Sequence, residues 1–142
     1  MLIPAKAEYG MRALLTLAAL DEATTAEALA QSQNLPINFL RAILNDLRRA
    51  DLVVSQRGAV GGYRLARPPS TITLAEVIRV LSGPLAEVRG VRPENTEYFG
   101  AATHLKDVWV AVATSLDTLL CDITLEDVLQ GRPSSSVAPP AG

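Results

Sequence analysis

Residues 52–66, which read LVVSQRGAVGGYRLA, decide the fold that this sequence predicts. Two short runs of strand-forming residues, 52–57 and 63–66, flank a five-residue segment that contains Gly58, Gly61 and Gly62. Because glycine readily takes positive φ angles, such a segment makes a tight and flexible turn. The pattern therefore predicts a two-stranded β-hairpin with a glycine-rich tip.

A helix over residues 36–50 is predicted directly before this hairpin. Apolar residues recur along it at three- and four-residue spacing and predict a buried face. They are Leu40, Ile43, Leu44 and Leu47. Polar residues fall on the opposite side of the same helix, at Asn38, Arg41, Asn45 and Arg48. One face is therefore expected to pack, and the other to meet a ligand or solvent.

The same periodicity predicts helices over residues 4–20, 25–31 and 74–81. Three threonines, Thr24, Thr73 and Thr124, each precede an acidic residue by three positions. This spacing is typical of a capped helix start, because the threonine hydroxyl and the acid accept hydrogen bonds from otherwise unpaired backbone amides. We therefore expect all three threonines to cap helices.

A long helix after residue 100 carries an apolar stripe too extensive for packing on one small domain. We expect a partner helix from a second copy of the chain to cover it. The members of the stripe proposed for dimerisation are Leu105, Val108, Trp109, Val112, Leu116 and Leu119, with Leu120 beside them.

The predicted fold class is mainly α with a small β-hairpin, and 142 residues suit one domain with an appended helix. The expected organisation is a domain over 1–83, a loop over 84–100, a long and a terminal helix over 101–131, and a tail over 132–142. The tail is rich in Ser and Pro and is expected to be disordered.

Charge is unevenly distributed along the chain. The net charge is −2, yet residues 41–67 hold six arginines and only two acids, a local excess of +4 within 27 residues. This stretch is the candidate surface for an anionic partner. The lone Cys121 cannot form an internal disulfide, which favours the reducing cytoplasm. No apolar run approaches the roughly 20 residues that span a membrane.

The predicted elements follow the order of a winged helix-turn-helix, namely a helix, a short helix, a turn, a polar-faced helix and a two-stranded wing. Double-stranded DNA is the expected partner. In the major groove we expect Asn38, Arg41 and Asn45 to contact bases, where Arg prefers guanine and Asn prefers adenine. Arg48 and Arg49 are expected to contact phosphates, and the wing to enter the minor groove. The full predicted DNA-binding set is Asn38, Phe39, Arg41, Asn45, Arg48, Arg49, Arg57, Gly58, Gly61, Gly62 and Tyr63.

Simpler interpretations of these features stay open. Arginines on a helix often form only a solvated face, and a glycine-rich hairpin is often only a turn. Two alternatives remain for the function. One is a winged module that regulates a protein partner, and the other is a sensor that holds a metal through Glu8 and His104. An enzyme is not expected, because the sequence holds no nucleophile–base pair, paired carboxylates or metal-ligand spacing.

Four motifs carry a resemblance to a known family. They are Tyr9 with RALLxLA at 12–18, FLxxILxxLR at 39–48, RGxxGGYRLARP at 57–68 and ITLxEVI at 72–78. Together they resemble the Rrf-two family of transcription regulators, which includes the iron-sulfur cluster regulator, the nitric-oxide-sensing repressor and the cysteine-metabolism repressor. The resemblance is strong over residues 1–85 and looser beyond. It implies a bacterial, cytoplasmic homodimer, usually a repressor, that binds a palindromic operator.

The chain departs from the family pattern in two places. Cluster-binding members carry three cysteines between the fourth helix and the dimerisation helix, whereas residues 85–106 hold none. Glu8 matches a carboxylate ligand of some members and His104 lies near a missing cysteine, but these two residues alone do not hold a cluster. We therefore expect no cofactor and no metal, with His104 on the surface and Cys121 buried as a small apolar residue.

The second departure is at Arg41 and the alanine after it, where the iron-sulfur cluster regulator has an acid and a glutamine. An acid accepts from cytosine and Arg donates to guanine, so this chain should recognise a different operator. Whether the loop over 84–100 meets a small-molecule effector or a protein partner stays open.

Overall fold

The computed structural model describes residues 2–132, which form a mainly helical protein with one antiparallel two-stranded sheet. The helices are α1 (Ala5–Leu20), α2 (Ala26–Gln33), α3 (Ile37–Arg49), α4 (Leu74–Ser82), α5 (Leu105–Cys121) and α6 (Leu125–Leu129), and the strands are β1 (Val53–Gln56) and β2 (Gly62–Leu65). Single 3-10 turns cover Pro69–Thr71, Pro93–Asn95 and Gly100–Ala102. The predicted fold class and element order are confirmed.

The predicted apolar face of α3 is the centre of the core. Leu40, Ile43, Leu44 and Leu47 are all fully or almost fully buried, together with Leu14 and Leu17 of α1. Complete burial of one such side chain contributes about 1.5–3 kcal/mol, so this face fixes the orientation of α3. The opposite face of α3 is thereby held at the surface.

The hairpin is tied to the helices through a residue far away in sequence. In the hairpin, Ser55 lies opposite Tyr63. The amide of Tyr63 in turn donates to the carbonyl of Thr24 at 2.7 Å, and the amide of Thr24 donates back to Tyr63 at 2.9 Å. Thr24 therefore adds a one-residue third strand to the sheet and sets the wing against the start of α2.

This pairing corrects one of the three predicted helix caps. Thr25, not Thr24, caps α2, and its hydroxyl accepts from the amide of Ala28 at 3.1 Å. Thr24 cannot do so because its backbone pairs with Tyr63 and its hydroxyl donates to the carbonyl of Glu22 at 3.1 Å.

The other two predicted caps are confirmed. Thr73 accepts from the amide of Glu76 at 3.2 Å, and Thr124 forms a complete capping box with Asp127. The Thr124 amide, which donates to Asp127, holds the pKa of that carboxyl below its usual value.

Helix α6 packs in the core of residues 1–83, which differs from its predicted grouping with the long helix. Leu125 is fully buried in that core. Its amide donates to Ile72 at 3.0 Å, and the amide of Leu74 donates to Ile123 at 2.9 Å, so the two segments pair as a short bridge. The chain thus returns to this core after α5.

Two further expectations concern the end of the chain. Cys121 is exposed, contrary to the predicted burial, because α5 buries none of its residues fully and ends at this thiol. The predicted disordered tail lies outside the described residues except for Arg132, whose guanidinium lies 3.5 Å from Asp127. No helix within residues 2–132 is long and apolar enough to cross a membrane.

Substitution of Gly10 by alanine tests the packing of α1. A Cβ at this position would overlap Leu81 of α4 and lie 3.2 Å from Cγ2 of Ile43. We expect Gly10→Ala to lower the free energy of unfolding by about 1–2 kcal/mol in urea titrations, because overpacking outweighs the better helix propensity of alanine. In a Leu81→Ala background this cost should disappear. An equal cost in both backgrounds would contradict the proposed contact.

Candidate nucleic-acid interface

The helix-turn-helix is built from α2, a three-residue turn and α3. Asn34 ends α2 in the left-handed conformation with φ 53°, and Pro36 in an extended conformation directly precedes α3. Leu35 between them is buried and anchors the turn to the core. The turn therefore sets the angle at which α3 presents its outer face.

The outer face of α3 carries the polar row predicted from the sequence. Asn38, Arg41, Arg48 and Arg49 are exposed, and Asn45 is half-buried among them. The structure thus brings the predicted base-contacting and phosphate-contacting residues to one helix surface. A row of amide and guanidinium groups of this kind can donate to base edges and to phosphates.

Several members of this row have partners within the chain. Arg41 forms an ion pair with Glu27 of α2, and Arg48 donates to the side-chain oxygen of Asn45 at 2.7 Å. Arg49 lies 3.7 Å from Asp46. Exposed contacts of this kind contribute at most about 1 kcal/mol, so DNA can replace them at small cost.

The start of α3 is fixed to α1 by an aromatic pair that was not predicted from the sequence. The rings of Tyr9 and Phe39 meet edge to face with centroids 5.6 Å apart. Arg12 lies over the Tyr9 ring and donates to the side chain of Gln33 at 3.2 Å. Phe39 therefore holds α3 in place and exposes only part of its surface for contact with DNA. In the sequence, the only sign of these contacts was the family motif that contains Tyr9 and Arg12.

The other end of α3 is held by an ion pair between Lys6 of α1 and Asp46. Their charged atoms lie 2.7 Å apart. The hydrogen bond from Lys6 is the main reason that the pKa of Asp46 lies below its ordinary value of 3.8. Asp46 is thus occupied on the side of α3 that faces α1.

The wing divides into an exposed tip and a packed base. Arg57 and Gly58 are exposed, and Gly58 has φ +109° with open space around it. At Gly61 a Cβ would lie 2.5 Å from the carbonyl oxygen of Gln56, and at Gly62 2.6 Å from that of Thr24. These two glycines shape the wing by permitting close backbone contact.

The arginines of the wing differ in whether they form an ion pair. Within the described residues, Arg57 and Arg64 form no ion pair. Arg67, at the base of the wing, is paired with Glu76 of α4 and donates to the carbonyl of Thr71 at 3.2 Å. Arg57 at the tip and Arg64, which is exposed further along β2, therefore both keep an unpaired positive charge. Tyr63 is half-buried against Thr24.

The predicted dimerisation stripe lies on α5. Val108 and Val112 are 50% and 45% exposed, while the remaining stripe residues, Leu105, Trp109, Leu116 and Leu119, are half-buried. The indole of Trp109 donates to the hydroxyl of Tyr98 at 2.9 Å, which ties α5 to the loop before it. A cavity of about 640 Å³ between α4, this loop and α5 is lined in part by the same stripe.

Comparisons with known proteins agree with this geometry. The family described as Rrf2, iron-dependent transcriptional regulator, matches residues 3–131. The chain belongs to the Rrf2 family. The resemblance carried by the four sequence motifs is thereby confirmed.

Relatives within the Rrf2 family cover almost the whole chain. A proposed HTH-type transcriptional regulator of Mycobacterium tuberculosis is 43% identical over 140 residues, or 97% of this chain and 87% of that protein. The structure of CymR, the global cysteine regulator of B. subtilis, is 33% identical with a TM-score of 0.78, covering 92% of this chain and 98% of its own. IscR of T. potens is 32% identical with a TM-score of 0.75, covering 99% and 94%. The chain is thus a transcription regulator with a DNA-binding winged helix.

The residues of this Rrf2 chain do not fit an iron-sulfur cluster, whose irons are normally tied by thiolates. Residues 85–106 hold no cysteine. Within residues 2–132 no three or more His, Cys, Asp or Glu side chains are grouped so that they could hold a metal ion. Glu8 instead lies 3.4 Å from Arg12, and the side chain of His104 is 93% exposed near Asp107.

Acid titration tests the anchoring of α3 by Asp46. A carboxyl whose pKa is lowered by folding stabilises the protein above its unfolded pKa and loses this effect as pH falls through the folded pKa. We expect Asp46→Asn to lower the free energy of unfolding by at most about 1 kcal/mol at pH 7. The difference from wild type should shrink below about pH 4. In a Lys6→Gln background this pH dependence should be much smaller, and an unchanged profile there would contradict the role of Lys6.

Proposed function

We propose that this Rrf2 chain acts as a homodimer that binds a palindromic operator in the bacterial cytoplasm and represses transcription without an iron-sulfur cluster. The observation that carries the proposal is the outer face of α3, where Asn38, Arg41, Asn45 and Arg48 lie beside one another while the opposite face is buried. A polar helix face of this size fits the major groove, which admits one α-helix.

Base recognition and phosphate contact are divided along α3. Asn38, Arg41 and Asn45 are proposed to contact base edges. Asn38 and Arg41 lie in the N-terminal half of α3, which contacts bases in helix-turn-helix complexes, and Asn45 follows Arg41 one turn later on the same face. Arg48 and Arg49 are proposed to contact phosphates from the last turn of α3. Phosphate contacts set orientation and salt dependence and carry no sequence information.

The wing is proposed to contact the adjacent minor groove. Arg57 at the exposed tip supplies the positive charge that a narrow minor groove attracts. Gly58 lets the backbone approach closely, and Gly61, Gly62 and Tyr63 hold the tip in position. The wing therefore extends each half-site beyond the bases that α3 reaches.

Dimerisation is proposed to occur through α5. No residue of this helix is fully buried in the single chain, although its stripe is apolar. Exposed apolar stripes on long helices are typically covered by another helix. A twofold dimer places two copies of α3 on two half-sites, which explains why the operator should be palindromic. A dimer bound in this way would obstruct a promoter, which favours repression.

Two substitutions on α5 test the dimer. We expect Val112→Glu to shift sedimentation from dimer to monomer, because a charge in an apolar interface is costly to bury. Thr114→Glu, on another side of the same helix, should leave the dimer intact. A Val112→Glu variant that sediments unchanged would contradict an interface through this face.

Substitutions on α3 test DNA recognition on a duplex enriched by the wild-type protein from a random pool. Arg41→Ala should reduce discrimination at one base pair in each half-site by about 1–3 kcal/mol. Arg48→Ala should instead weaken binding to all duplexes and lower the salt slope by about one unit per protomer. Arg92→Ala, in the loop before α5, should change neither.

Three results would contradict this assignment. Unchanged selectivity of Arg41→Ala would remove Arg41 from base contact. A sequence-selective loss for Arg48→Ala would reverse the division between base and phosphate. If the wild-type dimer retains no DNA at low salt, the winged module acts through a protein partner.

A further inference from the structure

Two arginines on the outer face of α3 have partners of different chemistry. Arg41 is paired with a carboxylate, that of Glu27 on α2, whereas Arg48 donates to the neutral amide oxygen of Asn45 at 2.7 Å. Arg41 and Glu27 are both well exposed, at 54% and 64% of their side-chain surface. The only acid on α3 within the described residues, Asp46, is held by Lys6 and Arg49 instead.

The position of Glu27 relative to Arg41 is set by the packing of two helices. Glu27 lies in the first turn of α2, two residues after the cap Thr25, and Leu29 two residues later is fully buried. Both helices are thus anchored in the core, and the ion pair crosses the space between them. An exposed pair of this kind adds little stability, so its consequence is the direction of the Arg41 side chain.

The pair leaves Arg41 enough donors to contact a base at the same time. A guanidinium has five N–H groups, and a bidentate contact with guanine uses two of them. Glu27 accepts from one N–H of Nη2, while Nε and Nη1 have no hydrogen-bond partner within the described residues. A bidentate contact pairs Nη2 with either Nη1 or Nε, so the second N–H of Nη2 and its neighbour on the edge that Glu27 does not occupy stay available to a base. Exclusion of water in the groove strengthens the ion pair and restricts the guanidinium plane further.

We propose that Glu27 is a positioning residue that determines base specificity by holding the Arg41 guanidinium toward one guanine in each half-site. The inference rests on the proposed function, in which Arg41 contacts a base. Without Glu27 the long arginine side chain is free to turn to neighbouring phosphates, which carry no sequence information.

The charge of Glu27 has a second effect on selectivity. The first helix of a helix-turn-helix crosses the DNA backbone, so a carboxylate on α2 lies near phosphates. When Arg41 is directed to a base, this carboxylate opposes purely electrostatic binding. Glu27 therefore favours cognate over unrelated DNA in two ways.

The test compares Glu27→Gln with wild type on three kinds of duplex. These are the duplex enriched by the wild-type protein, its versions with one base pair changed at each position, and an unrelated duplex. Glu27→Gln should lower discrimination at least about fivefold at the base pair affected by Arg41→Ala, with other positions unchanged. Binding to the unrelated duplex should tighten. In an Arg41→Ala background, Glu27→Gln should cause no further loss at that position.

A matched control pair is present elsewhere in the chain. Glu94 lies 3.9 Å from Arg92 in the loop before α5, and both side chains are exposed. Glu94→Gln removes the same charge from the same type of ion pair and should leave every base preference unchanged. If it changes discrimination as Glu27→Gln does, net charge explains the effect and the proposal is overturned.

The remaining outcomes separate Glu27 from Arg41. If Glu27→Gln discriminates between base pairs as well as wild type does, while Arg41→Ala does not, the role of Glu27 is overturned and that of Arg41 stays intact. Full discrimination by both variants would overturn the base contact of Arg41 itself. A uniform loss at all positions with a lower melting temperature would show that Glu27 only supports α2, which also overturns the proposal.

Discussion

Burial of one face of α3 is the constraint on which the rest of the molecule depends. Leu40, Ile43, Leu44 and Leu47 fill the centre of the core, so α3 cannot rotate without exposing them. The Tyr9–Phe39 ring contact and the Lys6–Asp46 ion pair hold its two ends against α1. A helix fixed in this way presents its polar residues in one defined direction, which is what recognition of base edges requires.

The wing and the terminal helix are positioned by contacts between distant parts of the chain. Thr24 pairs with Tyr63 and sets the wing relative to α2, and Leu125 of α6 enters the same core as α3. The interface is therefore supported by residues from both ends of the described chain. Among the helices of the described residues, α5 alone has no fully buried residue, consistent with its proposed role between two subunits.

Much of the fold could be predicted because local patterns and tertiary packing agree. The apolar period of α3 predicts a helix with one buried face, and the glycines between two strand-forming runs predict a β-hairpin. Both predictions are confirmed. Thr24 was assigned wrongly because a capping pattern is local, whereas its partner Tyr63 is far away in sequence. Cys121 was assigned by residue type, although α5 offers no core in which to bury it.

Contacts between side chains of different helices were beyond sequence reasoning. Glu27 and Arg41 meet because of the angle between α2 and α3, and no spacing along the chain indicates their contact. The close backbone approach of Gly61 to Gln56 and of Gly62 to Thr24 was likewise not indicated by local sequence patterns. Contact of these two glycines with DNA, expected from the sequence, stays a prediction.

Dimethyl sulfate footprinting of the wild-type dimer on its enriched duplex tests the central claim most directly. The reagent methylates guanine N7 in the major groove and adenine N3 in the minor groove, so one experiment reports both contacts. We expect protected guanine N7 atoms in two half-sites about one helical turn apart, each beside protected adenine N3 atoms. Guanine N7 atoms that stay reactive throughout a bound duplex would contradict recognition by α3 in the major groove.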